Sequence, residues 1–150
     1  MAAQMDWYDH SWKLLAGGLN LSTAELRIRL VTSGYTFSAA HTQWDNGAND
    51  ATDPSYSELT TTGGYTVGGK QLTMPTLTNI KFDADDLVWT SLTATFRHAI
   101  CVAIGTFQGV TNPVLFRLLT NSDNTDVVAS GSNWTIAWNS TDGIIYNPDA

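Results

Sequence analysis

The chain has 150 residues, the usual size of a single domain with one hydrophobic core. Its hydrophobic fraction of 43% excludes intrinsic disorder, and 7 basic residues scattered among 14 acidic ones argue against binding to nucleic acid. Charged residues make up only 14% of the chain, so threonine and serine supply much of the polar surface, a composition that favours strands.

The first predicted element is a short helical arm over residues 1–18. Tyr8, Trp12 and Leu15 recur at the spacing of one helix face. Asp6 can cap the N-terminus of this helix, and a pair of glycines ends it.

Residues 19–150 are predicted to form one antiparallel β-sandwich or jelly-roll-like domain, so the expected fold class is mainly β with a short N-terminal helix. In residues 26–30 apolar and arginine side chains alternate, which indicates a strand with Arg27 and Arg29 toward solvent. Residues 93–104 predict one long second strand, and the small residues on one of its faces allow close packing.

Three shorter alternating runs complete the expected sheets, at residues 114–119, 134–138 and 144–146. The single cysteine, Cys101, lies in an apolar run, which excludes an internal disulfide and a multi-cysteine zinc site and indicates a buried, inert thiol. The residues expected to help build the core are Trp89, Trp134, Ile136 and Trp138.

The least regular region is a long excursion over residues 35–64. It has no sustained hydrophobic period and is rich in Asn, Asp, Gly and Thr. Irregular segments of this length are uncommon inside a compact domain and are often ordered by a partner, so we expect an intermolecular contact here.

Residues 64–71 match the phosphate-loop pattern G-x-x-x-x-G-K up to its last position. There Gln71 replaces the serine or threonine that would bind magnesium. No hydrophobic strand precedes the loop, and Pro75 follows too soon for a helix that could hold phosphate. We therefore expect a glycine-rich loop that leads into a strand at residues 71–74, and no bound nucleotide.

The acidic residues Asp83, Asp85 and Asp86 could supply oxygen ligands to calcium. The glycine and glutamate of a helix-loop-helix calcium site are missing, so a solvated acidic turn between two strands is the expected structure. The three histidines, His10, His41 and His98, form no ligand pair on one element, although a folded chain could bring them together. No metal and no cofactor is predicted.

Catalytic signatures are also weak. Ser33-Gly34 and Ser130-Gly131 are simple turn dipeptides, and Glu25 and Glu58 are the only glutamates available for paired carboxylate chemistry. No catalytic residue is predicted, and we expect that the chain is not an enzyme. The sequence also lacks an apolar run of roughly 18 to 20 residues and a secretory signal, so synthesis in a cytoplasm and no membrane partner are expected.

Three segments, taken in order, carry a resemblance to a known group of proteins. They are a Leu-x-Thr-Ser turn at residues 30–35, Gly-Tyr-Thr-x-Gly-Gly-Lys at 64–70 and Phe-Asp-Ala-Asp-Asp-x-x-Trp at 82–89. The chain resembles small virion structural proteins of tailed bacteriophages over roughly residues 8–145. The resemblance implies a β-rich particle component that is made in the cytoplasm of a bacterial host.

The expected function is therefore that of a non-enzymatic decoration protein on the phage head, bound to the major capsid protein at subunit junctions. We expect a symmetric homo-oligomer, a trimer, whose contacts come mostly from the arm and the excursion. The expected interface residues are Trp7, Tyr8, Trp12, Tyr35, Phe37, Trp44 and Tyr56. Two alternatives stay open: a tail-associated carbohydrate-binding module, and N-terminal aromatic rings that fold back onto their own core.

Overall fold

The computed structural model describes residues 4–78, 81–121, 123–139 and 144–146. Strands make up 44% of the structure and helix 7%, in antiparallel sheets, so the predicted mainly β, sandwich-like fold with one short helix is confirmed. The helices are α1 (Ser11–Ala16) and a 3-10 helix (Pro54–Ser57). Within the described ranges no helix has the length and apolar character needed to cross a membrane.

The strands fall into four groups. A five-stranded sheet has the order β1 (Gln4–Trp7), β10 (Val114–Leu119), β7 (His98–Ala103), β2 (Leu26–Val31) and β3 (Lys70–Gln71). A long ribbon pairs β6 (Leu87–Phe96) with β11 (Val127–Ile136). A small sheet has the order β12 (Ile145–Tyr146), β5 (Lys81–Asp83) and β4 (Thr76–Leu77), and a hairpin pairs β8 (Thr106–Phe107) with β9 (Val110–Thr111).

Strand β7 lies at the centre of the five-stranded sheet and is buried on both faces. Its small side chains Ala99, Cys101 and Ala103 face the larger core, as their alternation predicts. Ile100 and Val102 point to the opposite side and join a second, smaller core. Because both faces are covered, the sheet is the middle layer of the molecule, and burial raises the pKa of the Cys101 thiol far above its usual range.

The β6–β11 ribbon covers the larger core. Trp89 is 1% exposed and Ile136 8%, as expected for core residues, while Trp134 and Trp138 are half-buried and pack against the same core. Strand β11 begins at Val127, seven residues before the predicted start, and ends at Ile136. Trp138 therefore lies outside the strand, where its indole Nε1 donates to the carbonyl oxygen of Asp85 at 3.1 Å.

The predicted single strand at residues 93–104 is wrong. It is two strands, β6 and β7, which belong to different sheets and meet at Arg97. At this corner the Arg97 amide donates to Val31, and Thr120 donates to the Arg97 carbonyl through its amide and its hydroxyl. The core-facing positions change here from even to odd numbers, since Phe96 and Ala99 pack in the same core and Ile100 packs in the other. In the sequence, however, Phe96, His98 and Ile100 continue one spacing of two residues, so this period cannot reveal the break.

The predicted helical arm is also corrected. Gln4–Trp7 is the edge strand β1, paired antiparallel with β10, and the helix is limited to Ser11–Ala16 with His10 at its N-cap. Asp6 is consequently a strand residue and caps nothing. Tyr8 is fully buried whereas Trp12 is 56% exposed, so the two rings do not share a helix face.

Trp89→Ala should lower the free energy of unfolding by about 3 to 5 kcal/mol, because it removes a fully buried ring from the larger core. Trp12→Ala is the matched control, since the same residue type is mostly exposed there and its loss should cost well under half as much. Urea denaturation of both variants measures the difference. Equal destabilisation would contradict the assignment of Trp89 to the core.

Candidate functional site

Charged side chains lie in a row across the second face of the five-stranded sheet. In the strand register Asp6 is opposite Arg117, Arg117 is opposite Ile100, and Ile100 is opposite Arg29. Residues that are directly opposite in adjacent strands point to the same face. This face therefore needs a cover that supplies polar partners as well as apolar contacts.

The cover is the excursion over residues 35–64. Its backbone is tied to the sheet region by the bonds from Leu59 to Leu30 at 3.0 Å and from Trp44 to Asn112 at 2.9 Å. Inside it, the buried Asp53 carboxylate accepts hydrogen bonds from the amides of Asn49 and Ser55, and the second bond starts the 3-10 helix. The excursion thus packs as a third layer on its own sheet.

Beneath the cover lies a tyrosine–histidine cluster, defined as Tyr8, Tyr35, His41 and His98. The Tyr8 and Tyr35 hydroxyls are 3.0 Å apart, and the Tyr35 hydroxyl is 2.7 Å from His41 Nδ1. The Tyr35 ring meets the His98 ring edge-on, with centroids 5.6 Å apart. Burial raises the pKa of Tyr35 to about 12 and that of Tyr8 well above its usual range, so both hydroxyls stay protonated.

Arg117 supplies the positive charge next to this cluster. Its guanidinium forms an ion pair with Asp6, lies 3.9 Å from the Phe37 ring centroid and places Nη1 3.5 Å from His98 Nδ1. Partial burial alone would raise the pKa of Asp6, but hydrogen bonds from Arg117 and Gln4 lower it. Burial, followed by the charge of Arg117, lowers the pKa of His98 to about 4, so His98 is neutral at ordinary pH.

A second polar group holds the glycine-rich loop. Glu58 accepts hydrogen bonds at 2.7 Å from the Tyr65 hydroxyl and the Gly68 amide, and its other oxygen is 3.4 Å from Arg29. The Arg29 guanidinium also stacks on Trp44, at 4.6 Å from the ring centroid. Arg29 is therefore covered rather than solvated, with a side chain only 14% exposed, which corrects its predicted position.

Residues 64–71 form part of the scaffold instead of a phosphate site. Arg27 donates to the carbonyls of Gly68 and Gly69, at 2.7 and 3.0 Å, and Lys70 donates to the carbonyl of Val88. A Cβ at Gly69 would collide with the carbonyl of Ile28, and the positive φ of +66° there also favours glycine. The glycines are needed for close approach of the loop to β2, and the lysine is already engaged.

The expected interface residues divide into two groups, four inside the chain and three that reach the surface. Tyr8, Tyr35 and Trp44 are buried within the chain, at 0, 2 and 4% exposure, and Phe37 packs against them half-buried. These side chains are core residues, so they are not available as surface anchors. For Tyr8 this is the alternative in which the ring folds back onto its own core.

The other three expected interface residues reach the surface. Trp7 is half-buried between Phe116 and Trp12, with ring centroids 5.2 Å from each. Trp12 is 56% exposed on top of this stack, and Tyr56 is 64% exposed on the 3-10 helix. Trp12 and Tyr56 are the members of the expected set that a partner could contact without opening the fold.

The fold brings His41 and His98 to the same tyrosine and places the His10 ring 6.4 Å from that of Tyr8. Among the residues that the structure describes, however, no three His, Cys, Asp or Glu side chains are placed to share a metal ion. No family model, curated protein or solved structure matches this chain. Inferences about function therefore depend on its own residues.

The acidic turn between β5 and β6 has its carboxylates engaged separately. Asp83 pairs with Lys81 at 3.3 Å, Asp85 accepts from the Thr73 hydroxyl at 3.3 Å, and Asp86 accepts from the Trp138 amide at 2.9 Å. Excess chelator should accordingly leave the melting temperature unchanged. A fall of several degrees would mean that a bound cation stabilises the folded state, and it would restore the calcium interpretation.

His98 should make the fold sensitive to acid. Between its ordinary pKa of 6.5 and its folded pKa of about 4, the unfolded chain binds a proton that the folded chain does not. Stability should therefore fall by about 3 kcal/mol as the pH is lowered through this window. Burial also lowers the pKa of His10 and His41, which act in the same direction.

Urea denaturation at several pH values from 7 to 4 measures this loss. His98→Gln keeps a polar side chain but cannot take up the proton, so the variant should lose much less stability on acidification. Asp6 contributes little above pH 4, because its stabilising effect is lost mainly as the pH falls through the ordinary pKa of 3.8, at which the unfolded chain takes up the proton. If His98→Gln and the parent had the same pH dependence, His98 would not be the responsible group.

Proposed function

We propose that this chain is a non-enzymatic structural protein of a tailed-phage virion, which decorates and stabilises the capsid at subunit junctions. In this proposal it binds the major capsid protein as a symmetric homo-oligomer on the phage head. The resemblance of three sequence segments to small virion proteins suggests the class. The positions of those segments in the fold support it.

Each of the three segments connects or holds together elements of the fold. Residues 30–35 carry the chain from β2 into the cover and end at the buried Tyr35. Residues 64–70 hold the loop against β2 and contain the buried Tyr65, whose hydroxyl binds Glu58. Residues 82–89 connect β5 to β6 and begin and end with buried rings. Segments whose residues serve packing rather than chemistry fit a structural protein better than an enzyme.

The observation that carries the proposal is the way the reactive side chains are used. Tyr8, Tyr35, His98 and Arg117 are closed beneath the cover and bonded to one another, so they stiffen the molecule instead of facing a substrate. A rigid body of this kind suits a particle component that must hold its shape while bound. Its repeated copies on a shell would let modest individual contacts add.

Exposed Trp12 is the side chain best placed to contact a capsid subunit. It projects from α1 and is supported from below by Trp7, so little side-chain freedom is lost on binding. Large, pre-ordered aromatic side chains concentrate binding energy when a partner buries them.

The same stack favours a second candidate function, a carbohydrate-binding module on the tail. An exposed tryptophan ring held by a second ring can stack against the apolar face of a pyranose. A glycan array separates the candidates. A defined sugar bound through Trp12 would favour the tail module, whereas no glycan binding together with capsid binding would favour decoration.

The location of the protein tests the main proposal directly. Particles of the phage that encodes the chain are purified, heads are separated from tails, and each fraction is analysed by mass spectrometry. We expect the chain in the head fraction in many copies. Its presence in tails alone would favour the second candidate, and its absence from purified particles would overturn both.

Trp12→Ala should weaken binding to capsids that lack the protein by about tenfold or more, with little effect on the melting temperature. Val67→Ala, which shortens another exposed apolar side chain, is the control and should bind like the parent. Deleting residues 1–18 is a poorer test, because it removes β1 and the buried Tyr8 and Leu14. Parental binding by Trp12→Ala would exclude this surface.

A further inference from the structure

Strand β11 is a ten-residue edge strand. It is paired with β6 on one side, and no strand within the described ranges is paired with its other side. The far edge of β6, by contrast, is covered by the glycine-rich loop, since the Thr93 amide donates to Gly63 at 2.7 Å. Positions along β11 are also exposed within the part of the chain that the structure describes, since Val128 is 74% exposed and a Cβ added at Gly131 would meet no atom within 4 Å.

This edge is also free of charge. Neither β6 nor β11 contains an acidic, basic or histidine residue, although the chain as a whole carries a net charge of −7. Natural edge strands are usually kept apart by charged side chains, by proline, by β-bulges or by short length. Of these devices β11 has only a bulge, at Gly131. The sheet edges β1 and β3 are short, with four and two residues, whereas β11 has ten residues and no charged residue or proline.

We propose that β11 pairs antiparallel with β11 of a second copy of this chain, across a two-fold axis, to form a continuous four-stranded sheet. The absence of charge on β11 favours a second copy of the chain as the partner of this edge. A basic partner would be drawn to the acidic parts of the surface, whereas two copies that each carry −7 repel least where both are uncharged. Antiparallel pairing is self-complementary, as a two-fold interface requires.

The bulge in β11 fixes the position of the axis. The register with β6 shifts between Ala129 and Ser132, and Gly131 has a φ of +64°. Because of this bulge, odd-numbered residues face the core before it and even-numbered residues face the core after it. Ala129 and Ile136 are the buried residues on either side. With an axis between Gly131 and Ser132, Val127 lies opposite Ile136 of the second copy, and Ala129 lies opposite Trp134 of the second copy. This register spans all ten residues of the strand. It also places side chains that face the core of one copy beside side chains that face the core of the other.

This pairing would also cover the half-exposed ring of Trp134 with the second copy. It does not depend on the proposed virion function, because it follows from the edge alone. It favours a two-fold dimer over the trimer expected from the sequence.

Charge substitutions at Ser132 test the proposal, because this exposed residue lies next to its own copy across the axis. Ser132→Lys and Ser132→Glu should each weaken dimerisation of the full chain roughly 100-fold, since each places two like charges about 6 Å apart. An equimolar mixture of the two variants should restore a heterodimer through opposite charges. Sedimentation velocity at micromolar concentrations, with native mass spectrometry, measures all three samples.

Ser33→Lys and Ser33→Glu are the matched controls, because Ser33 is an exposed serine on a turn that is not part of β11 and should leave dimerisation unchanged. The melting temperature of each variant checks that it is folded. Three outcomes would overturn the proposal. The parent could be a monomer, it could be a trimer that neither Ser132 variant disturbs, or both single variants could still form dimers. Restoration by the mixture but not by either variant alone would support it.

Discussion

The charge of Arg117 is the constraint on which the rest of the structure depends. Its side chain is only 10% exposed in the middle of the molecule, and a buried guanidinium must be paired to be tolerated. Asp6 supplies the negative charge from β1, Phe37 covers the guanidinium plane from the excursion, and His98 stays neutral beside it. One cation therefore links the first strand, the central strand and the cover.

This arrangement explains why the excursion is ordered although it lacks regular structure. Its side chains have specific roles on the charged face: Tyr35 bonds to Tyr8 and His41, Trp44 stacks on Arg29, and Glu58 pairs with Arg29. Buried polar groups that are paired in this way favour one geometry, whereas apolar contacts alone would let the cover shift along the sheet. The pairing is incomplete among the described residues, because Arg29 Nε and His98 Nε2 have no hydrogen-bond partner. The cover is thus specified by polar partners and stabilised by apolar burial.

The sequence predicts the fold class and strands β2 and β10 well, because residues 26–30 and 114–119 are predicted from a period of two, whereas β7 is predicted only as the second half of a longer strand. It fails at β1, because the predicted helix extends back through Tyr8, whose spacing from Trp12 and Leu15 is helical only by coincidence. The real determinant of β1 is the pairing of Asp6 with Arg117, which lies 111 residues away and leaves no local signal. The corner at Arg97 is missed for a different reason, because large side chains keep a spacing of two in the sequence although the core-facing positions change where the chain changes sheets.

The candidate site is even less visible in the sequence. Its histidines and tyrosines are widely separated along the chain, and they meet only because the excursion folds back over the sheet. Aromatic residues in an irregular segment suggest either an interface or a core, and composition cannot distinguish the two. Burial decides for Tyr35 and Trp44, and exposure keeps Trp12 and Tyr56 as surface candidates.

The distribution of charge links these internal interactions to the outer surface. Among the described residues, five of the seven basic side chains form ion pairs, with Glu25, Glu58, Asp6, Asp83 and Asp126. The charge that is left to the exterior is therefore predominantly acidic, including Asp45 and Asp50 on the exposed tip of the cover. Copies of such a chain repel over most of their surface, so close contact favours neutral regions. The β11 edge and the ring of Trp12 are two such regions, and they lie on different elements, which allows one to contact a second copy while the other contacts a different partner.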